Sequence, residues 1–108
     1  MINRSKIETF IGFSIRARAF VMGSNSIATV KKAYLILLCA SASDNTKKLA
    51  QKYCKKFHCD LMLTHKPLED LCGKENCKIS AITDKNLAKA VLENKDENFS
   101  VYSGGNGL

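Results

Sequence analysis

The sequence predicts one small α/β domain, and three observations lead to that fold class. Short apolar runs suited to strands alternate along the chain with segments whose apolar residues recur at helical spacing. The balance of 45% hydrophobic and 25% charged residues is that of a globular protein, and 108 residues suffice to bury a core. The longest apolar run, 33–42, is much shorter than the ~20 residues of a membrane span. We expect residues 1–95 to form the domain and residues 96–108 to form a flexible tail.

The first third of the chain predicts a helix, a short strand and a second helix. Apolar residues at helical spacing indicate a helix over residues 5–18. Residues 19–22 form a short extended piece, and Gly23 ends it. The polar residues 24–26 then supply a cap for a short helix that reaches Lys32.

The remaining elements continue the alternation of strands and helices. The near-continuous apolar run 34–40 predicts a central strand that is buried on both faces. Residues 43–57 give the clearest helix, because an apolar stripe on one side is matched by lysines on the other. Residues 59–64 and 77–83 read as two further strands.

Two more helices are expected in the second half of the chain. A small helix over 64–73 has a proline near its start and a glycine at its end. The last helix is capped by Thr83 or Asp84 and turns Leu87 and Val91 inward. The alternation predicts a small sheet that is mostly parallel or mixed.

Charge is distributed unevenly along the chain. Residues 1–59 contain 11 Lys/Arg but only Glu8 and Asp44, a formal charge of +9, whereas residues 60–108 carry −2. A basic half on a small domain indicates a polyanionic partner, although a lysine-rich solvated face gives the same count. The first ten residues, MINRSKIETF, lack an apolar signal core, so we expect a cytoplasmic protein.

Enzymatic and metal-binding patterns are poorly represented. The chain has five cysteines without C-x-x-C spacing, two histidines and no glycine-rich phosphate loop, so we expect neither catalytic residues nor a cofactor. The sharpest metal alternative is a zinc site from Cys54, His58 and Cys59 with Cys72 or Cys77. The candidate ligands are spaced too widely for the tight turn of a zinc knuckle. Cys39 and Cys54 are more simply interpreted as small core residues.

The segment GSNSIATVKK, residues 23–32, offers more to a binding partner. A glycine turn into a helix N-terminus exposes N–H groups that suit phosphate, and Asn25 can pair with a base edge. Lys31 and Lys32 would add sequence-independent attraction. The plainer interpretation is a helix cap followed by solvated lysines.

Four blocks appear along the chain in a defined order. They are residues 11–18 (IGFSIRAR), Gly23-Ser24-Asn25, residues 35–49 (LILLCASASDNTKKL), and Gly73-Lys74-Glu75 followed by residues 79–85 (ISAITDK). Together they resemble the superfamily of small ribosomal proteins that recognise kink-turn RNA, which includes the seven-Ae and thirty-e proteins. The resemblance is strongest to the short bacterial ribosome-associated homologues, and it covers roughly residues 5–93.

The resemblance implies a three-layer α/β/α sandwich with a mixed four-stranded sheet and RNA bound across loops at one sheet end. It implies a non-enzymatic, ribosome-associated protein whose partners are structured RNA, ribosomal RNA above all, and ribosomal proteins, with no membrane and no small-molecule substrate. The expected RNA-binding residues are Gly23, Ser24, Asn25, Lys31, Lys32, Lys47, Lys48, Lys78 and Ile79.

Each expected residue has a role. The 23–25 turn would meet RNA through backbone N–H groups and an amide, and the lysines would neutralise phosphate. The loop 75–79 would form a second wall in which Ile79 packs against a base or sugar.

An interaction module on the same fold is the alternative. The chain has Asn25-Ser26 where the superfamily has Asn followed by Glu, and Cys39-Ala40-Ser41 where it tends to have acidic residues. In this alternative, the missing acidic residues mean that RNA recognition has been lost. An apolar segment such as 99–102 could join a sheet edge or a partner.

Overall fold

The computed structural model describes residues 6–65, 78–94 and 99–102. Its elements in chain order are α1 (Lys6–Arg16), β1 (Phe20–Met22), α2 (Ser24–Ile27), β2 (Leu35–Cys39), α3 (Asp44–Phe57), β3 (Asp60–Thr64), β4 (Ile79–Ile82), α4 (Lys85–Glu93) and β5 (Phe99–Tyr102). The helix expected over 64–73 falls largely outside the described residues. No helix among those residues combines the length and apolarity needed to cross a bilayer.

The strands form one mixed sheet in the order β1-β4-β2-β3-β5, which confirms the predicted α/β class. β2 and β3 run parallel, with Leu35 opposite Asp60 and Cys39 opposite Thr64. The other three pairings are antiparallel. The sheet has five strands rather than the expected four, because residues 99–102, expected in the tail, pair with β3 at the sheet edge.

Strand β2 lies at the centre of the fold, and all five of its residues are buried. Leu35 and Leu37 belong to a core cluster with residues of α1 and α4, whereas Ile36 and Leu38 belong to a second cluster with residues of α3. Successive side chains of a strand point to opposite faces, so helices on both faces require a continuous apolar run. The sequence pattern of β2 is therefore explained by burial on both sides.

Helix α3 begins and ends as its sequence indicates. The Ser43 side chain accepts a hydrogen bond from the Thr46 amide, and the chain leaves the helix at His58 in the left-handed conformation, with φ 54°. The buried stripe contains Ala50, Tyr53, Cys54 and Phe57. Ser43 is therefore the N-cap, and the lysines of α3 other than Lys47 are exposed.

Helix α2 is shorter than predicted. It ends at Ile27 instead of reaching Lys32, and the Thr29 hydroxyl donates to the Ser26 carbonyl at 2.7 Å just beyond it. Its N-cap position is Gly23, so the expected cap by a side chain of residues 24–26 is wrong. Ile27, Thr29 and Val30 are β-branched and lose side-chain freedom in a helix, which explains the early end.

Candidate functional site

A cleft of about 400 Å³ opens at the end of the sheet where β1 stops and β4 starts. We call this the cleft end of the sheet, and the other the opposite end. The cleft is lined by Met22, Gly23, Ser24, Asn25, Ser26, Thr46, Lys78 and Ile79. It therefore joins two chain segments that are far apart in the sequence, the 22–26 turn and residues 78–79, with Thr46 from the first turn of α3.

Gly23 allows the turn to lie against β4. Its amide donates to the Ile79 carbonyl at 2.9 Å, and its backbone has φ 89° and ψ 148°. That region is accessible essentially to glycine alone. A Cβ added at Gly23 would meet nothing within 4 Å, so backbone conformation rather than crowding calls for glycine here.

The turn is also held from the α3 side. The Tyr53 hydroxyl, largely buried, donates to the Ser24 carbonyl at 3.0 Å. Ile27 is fully buried and anchors the other end of α2 in the core. With its backbone fixed at both ends, the segment leaves Asn25 and Ser26 exposed on the cleft wall.

Lys78 forms the facing wall. Its ammonium donates to the Ser41 hydroxyl at 3.2 Å, and its carbonyl accepts from the Cys39 amide at 2.9 Å. Ser41 also shares a hydrogen bond with the Cys39 thiol at 3.0 Å between oxygen and sulfur. The cation is thus positioned by the segment that follows β2, half-buried beside the cleft.

Ile79 lines the cleft but belongs mainly to the core. Only 3% of its surface is exposed, and it packs in the cluster beneath α3. It closes the base of the cleft instead of presenting a broad apolar surface. The residues 75–77 that precede it in the expected second wall lie outside the described residues.

The two α3 lysines lie at the cleft end without lining the cleft. Consecutive helix residues are rotated by about 100°. Lys48 is therefore on the side of α3 turned away from the buried stripe, and Lys47 is on its flank. Thr46, which sequence reasoning missed, lines the cleft instead. The sequence could have indicated this position, because Thr46 lies four residues before Ala50 and therefore on the same face of α3 as the buried stripe.

Lys31 and Lys32 are not near the cleft, and their expected grouping with Asn25 is wrong. Lys32 donates from Nζ to the Phe57 carbonyl at 2.9 Å and lies 5.7 Å from the centre of the Tyr34 ring. Phe57 ends α3 at the opposite end of the sheet, just before β3 begins. Lys31 is exposed in the same connection.

The described residues contain no group of three or more His, Cys, Asp or Glu side chains arranged to hold a metal. Cys54 and Cys59 are buried, whereas His58 is exposed. Cys72 and Cys77, the other ligands of the zinc alternative, lie outside the described residues.

No protein-family model and no curated protein matches the chain. Solved structures do match its fold. One is a protein of unknown function from Bacillus halodurans, with a TM-score of 0.73 and 19% sequence identity. The alignment covers 83% of this chain and 96% of that one. At this identity the similarity establishes a shared fold and leaves function to be argued from the cleft.

Proposed function

We propose that this protein binds structured RNA at the cleft end of its sheet and is associated with the ribosome. The observation that carries the proposal is the cleft itself. Five of the residues expected from the sequence to contact RNA line it together, although they come from distant segments: Gly23, Ser24, Asn25, Lys78 and Ile79.

The cleft residues have complementary chemistry for RNA. The Asn25 amide offers both a donor and an acceptor, which is what a base edge requires, and it stands on a backbone fixed from two sides. Lys78 supplies a cation for phosphate on the facing wall. Proteins that read RNA sequence usually bind unstacked bases, and a cleft with polar groups on both walls suits one such base and its phosphate.

The surrounding charge supports the same partner. Residues 1–59 carry a formal charge of +9, and the N-terminal end of α3 brings Lys47 and Lys48 to the same end of the sheet. They would attract the RNA backbone before the cleft engages it. The kink-turn class of RNA, ribosomal RNA as its source, ribosomal proteins as further partners and a cytoplasmic location rest on the family resemblance.

The interaction-module alternative has less support. The segment 99–102, which could have joined a sheet edge or a partner, is paired with β3 at the edge of its own sheet. We therefore propose RNA binding alone.

Binding of fluorescently labelled RNA tests the proposal. A kink-turn RNA and a straight duplex of equal length are titrated with the protein at low salt. Asn25→Ala is expected to weaken kink-turn binding by on the order of 1–3 kcal/mol while changing duplex binding little. Asn86→Ala, which removes an exposed amide from α4, is the matched control and should change neither.

Two results would overturn the proposal. One is the absence of a saturable complex between the wild-type protein and either RNA at low salt. The other is an equal loss of kink-turn affinity in the Asn25 and Asn86 variants.

A further inference from the structure

Two buried cysteines, joined by a backbone hydrogen bond, lie at the end of the sheet opposite the cleft. Cys54 is in the last turn of α3, and Cys59 follows the helix directly before β3. Cys54 is fully buried, and Cys59 exposes 7% of its surface. Both side chains belong to the same core cluster beneath α3.

The backbone keeps these thiols together. His58 adopts φ 54°, which reverses the chain, and the Cys59 amide then donates to the Cys54 carbonyl at 3.1 Å. This bond between the fourth-last residue of α3 and the second residue beyond the helix is the 6→1 bond of a Schellman ending, whose two side chains normally make an apolar contact. Here both positions are cysteines, so the turn holds two sulfur atoms where two apolar groups usually pack.

Lys32 brings a positive charge to the pair. Its ammonium is fixed on the Phe57 carbonyl at 2.9 Å, within the same helix ending. The hydrogen bond from Cys54 lowers the pKa of Cys59, and Lys32 acts in the same direction, whereas burial and Asp60 oppose them. The same hydrogen bond, followed by burial, raises the pKa of Cys54. Cys59 is thus both the thiol whose pKa is lowered and the one that is slightly exposed to solvent.

We propose that Cys54 and Cys59 form a dithiol site that a small peroxide converts reversibly to a disulfide at the end of α3. The site is independent of the RNA-binding proposal, because it lies at the opposite end of the sheet and uses none of the cleft residues. Cys59 is slightly exposed and lies beside the exposed His58, so the oxidant that reaches it must be as small as hydrogen peroxide.

The reaction is balanced in two steps. The Cys59 thiolate attacks one peroxide oxygen, the O–O bond breaks, and the departing hydroxide takes up the proton that the thiol released. This gives a sulfenic acid on Cys59 and one water. The Cys54 sulfur then attacks the Cys59 sulfur, the S–O bond breaks, and hydroxide leaves with the Cys54 proton as a second water. Two thiols are oxidised to one disulfide while one peroxide is reduced to two waters.

The experiment uses the full-length wild-type protein. After brief exposure to peroxide, remaining thiols are alkylated under denaturing conditions and tryptic peptides are identified by mass spectrometry. Cys54 and Cys59 fall on different tryptic peptides, so their disulfide appears as a linked pair lacking two hydrogen atoms, and fragmentation between Cys59 and Cys72, which share the peptide 57–74, assigns the link to Cys59. We expect this link to form first and to disappear with a dithiol reductant. Cys39, buried at the far end of β2, is the internal control and should be alkylated.

Variants separate the two roles. In Cys54→Ser, a sulfenic acid should accumulate at Cys59 and be trapped by dimedone, whereas in Cys59→Ser no trapping at Cys54 is expected. Lys32→Gln should slow the formation of the link in wild-type background. Oxidation of Cys39 as fast as Cys59, or the absence of the 54–59 link in wild-type protein that is folded by circular dichroism, would overturn the proposal. Because the decisive reading is made on wild-type protein, it does not depend on how well a variant folds.

Discussion

Two lysines at opposite ends of the sheet allow a sharp test of where RNA lies. Lys78→Gln and Lys31→Gln each remove one positive charge, the first from the cleft wall and the second from the connection before β2. β2 separates them, and its five residues at ~3.3 Å per residue place the two ends roughly 13 Å apart. This exceeds the Debye length of about 8 Å at physiological salt, so a phosphate held by Lys78 is largely screened from Lys31.

The expected magnitude follows from counterion release. Losing one phosphate contact should reduce the slope of log affinity against log salt by about 0.7–0.9. Between about 50 and 200 mM salt, this changes the ratio of wild-type to variant affinity by about threefold. Fluorescence anisotropy with a kink-turn RNA at several salt concentrations measures the affinity of each variant and hence this slope. Lys78→Gln should show the reduced slope, and Lys31→Gln should keep the wild-type slope. If Lys78→Gln keeps the wild-type slope while Lys31→Gln reduces it, the RNA backbone follows the opposite end and our placement is refuted.

Urea unfolding tests four further structural inferences. Gly23→Ala should cost about 1–3 kcal/mol through its positive φ alone, and a neutral or stabilising result would contradict the glycine-only backbone. Tyr53→Phe should cost about 0.5–1.5 kcal/mol because it removes the donor to the Ser24 carbonyl, and an unchanged midpoint would contradict that bond. Asp84→Ala should cost about 0.5–2 kcal/mol, since its carboxylate caps α4 by accepting from an amide at 2.9 Å; no loss would exclude the cap. Phe99→Ala should cost about 3–5 kcal/mol if β5 belongs to the core, and under 1 kcal/mol if it does not.

Most of the fold could be predicted because its long elements have strong periodic signals. The helix expected over 43–57 is α3, and the strand expected over 34–40 is β2, each within a residue or two. β5 was assigned to the tail, and joining a sheet edge was considered only under the interaction-module alternative, because a four-residue strand between polar segments and a glycine-rich end offers too few alternating positions to distinguish it from a tail. Its place in the sheet depends on tertiary pairing with β3, which local sequence does not encode.

The site was predicted in part. The glycine turn and Lys78 were expected at one place from a resemblance between ordered sequence blocks, and they do line one cleft. Thr46 was overlooked because the neighbouring lysines carry the more obvious charge for an RNA partner, yet the helical stripe directs Thr46 toward the sheet and Lys48 away from it. Charge alone therefore did not indicate Thr46, whereas Lys47 and Lys48 lie at the same end of the sheet outside the cleft.

The misplacement of Lys31 and Lys32 follows from the direction of the strands. β1 is antiparallel to β4, and β4 is antiparallel to β2, so β1 and β2 run the same way. Gly23 leaves β1 at the cleft end, and the chain must return along the whole sheet before β2 can begin at the opposite end. Any residue shortly before β2 is consequently far from Gly23, however close it is in sequence. The same return places Lys32 against the end of α3, because α3 runs back from the cleft end to the start of β3. When two strands run in the same direction, the segment that connects them starts at one end of the sheet and finishes at the other. Basic residues at the two ends of that segment therefore cannot contribute to one binding site.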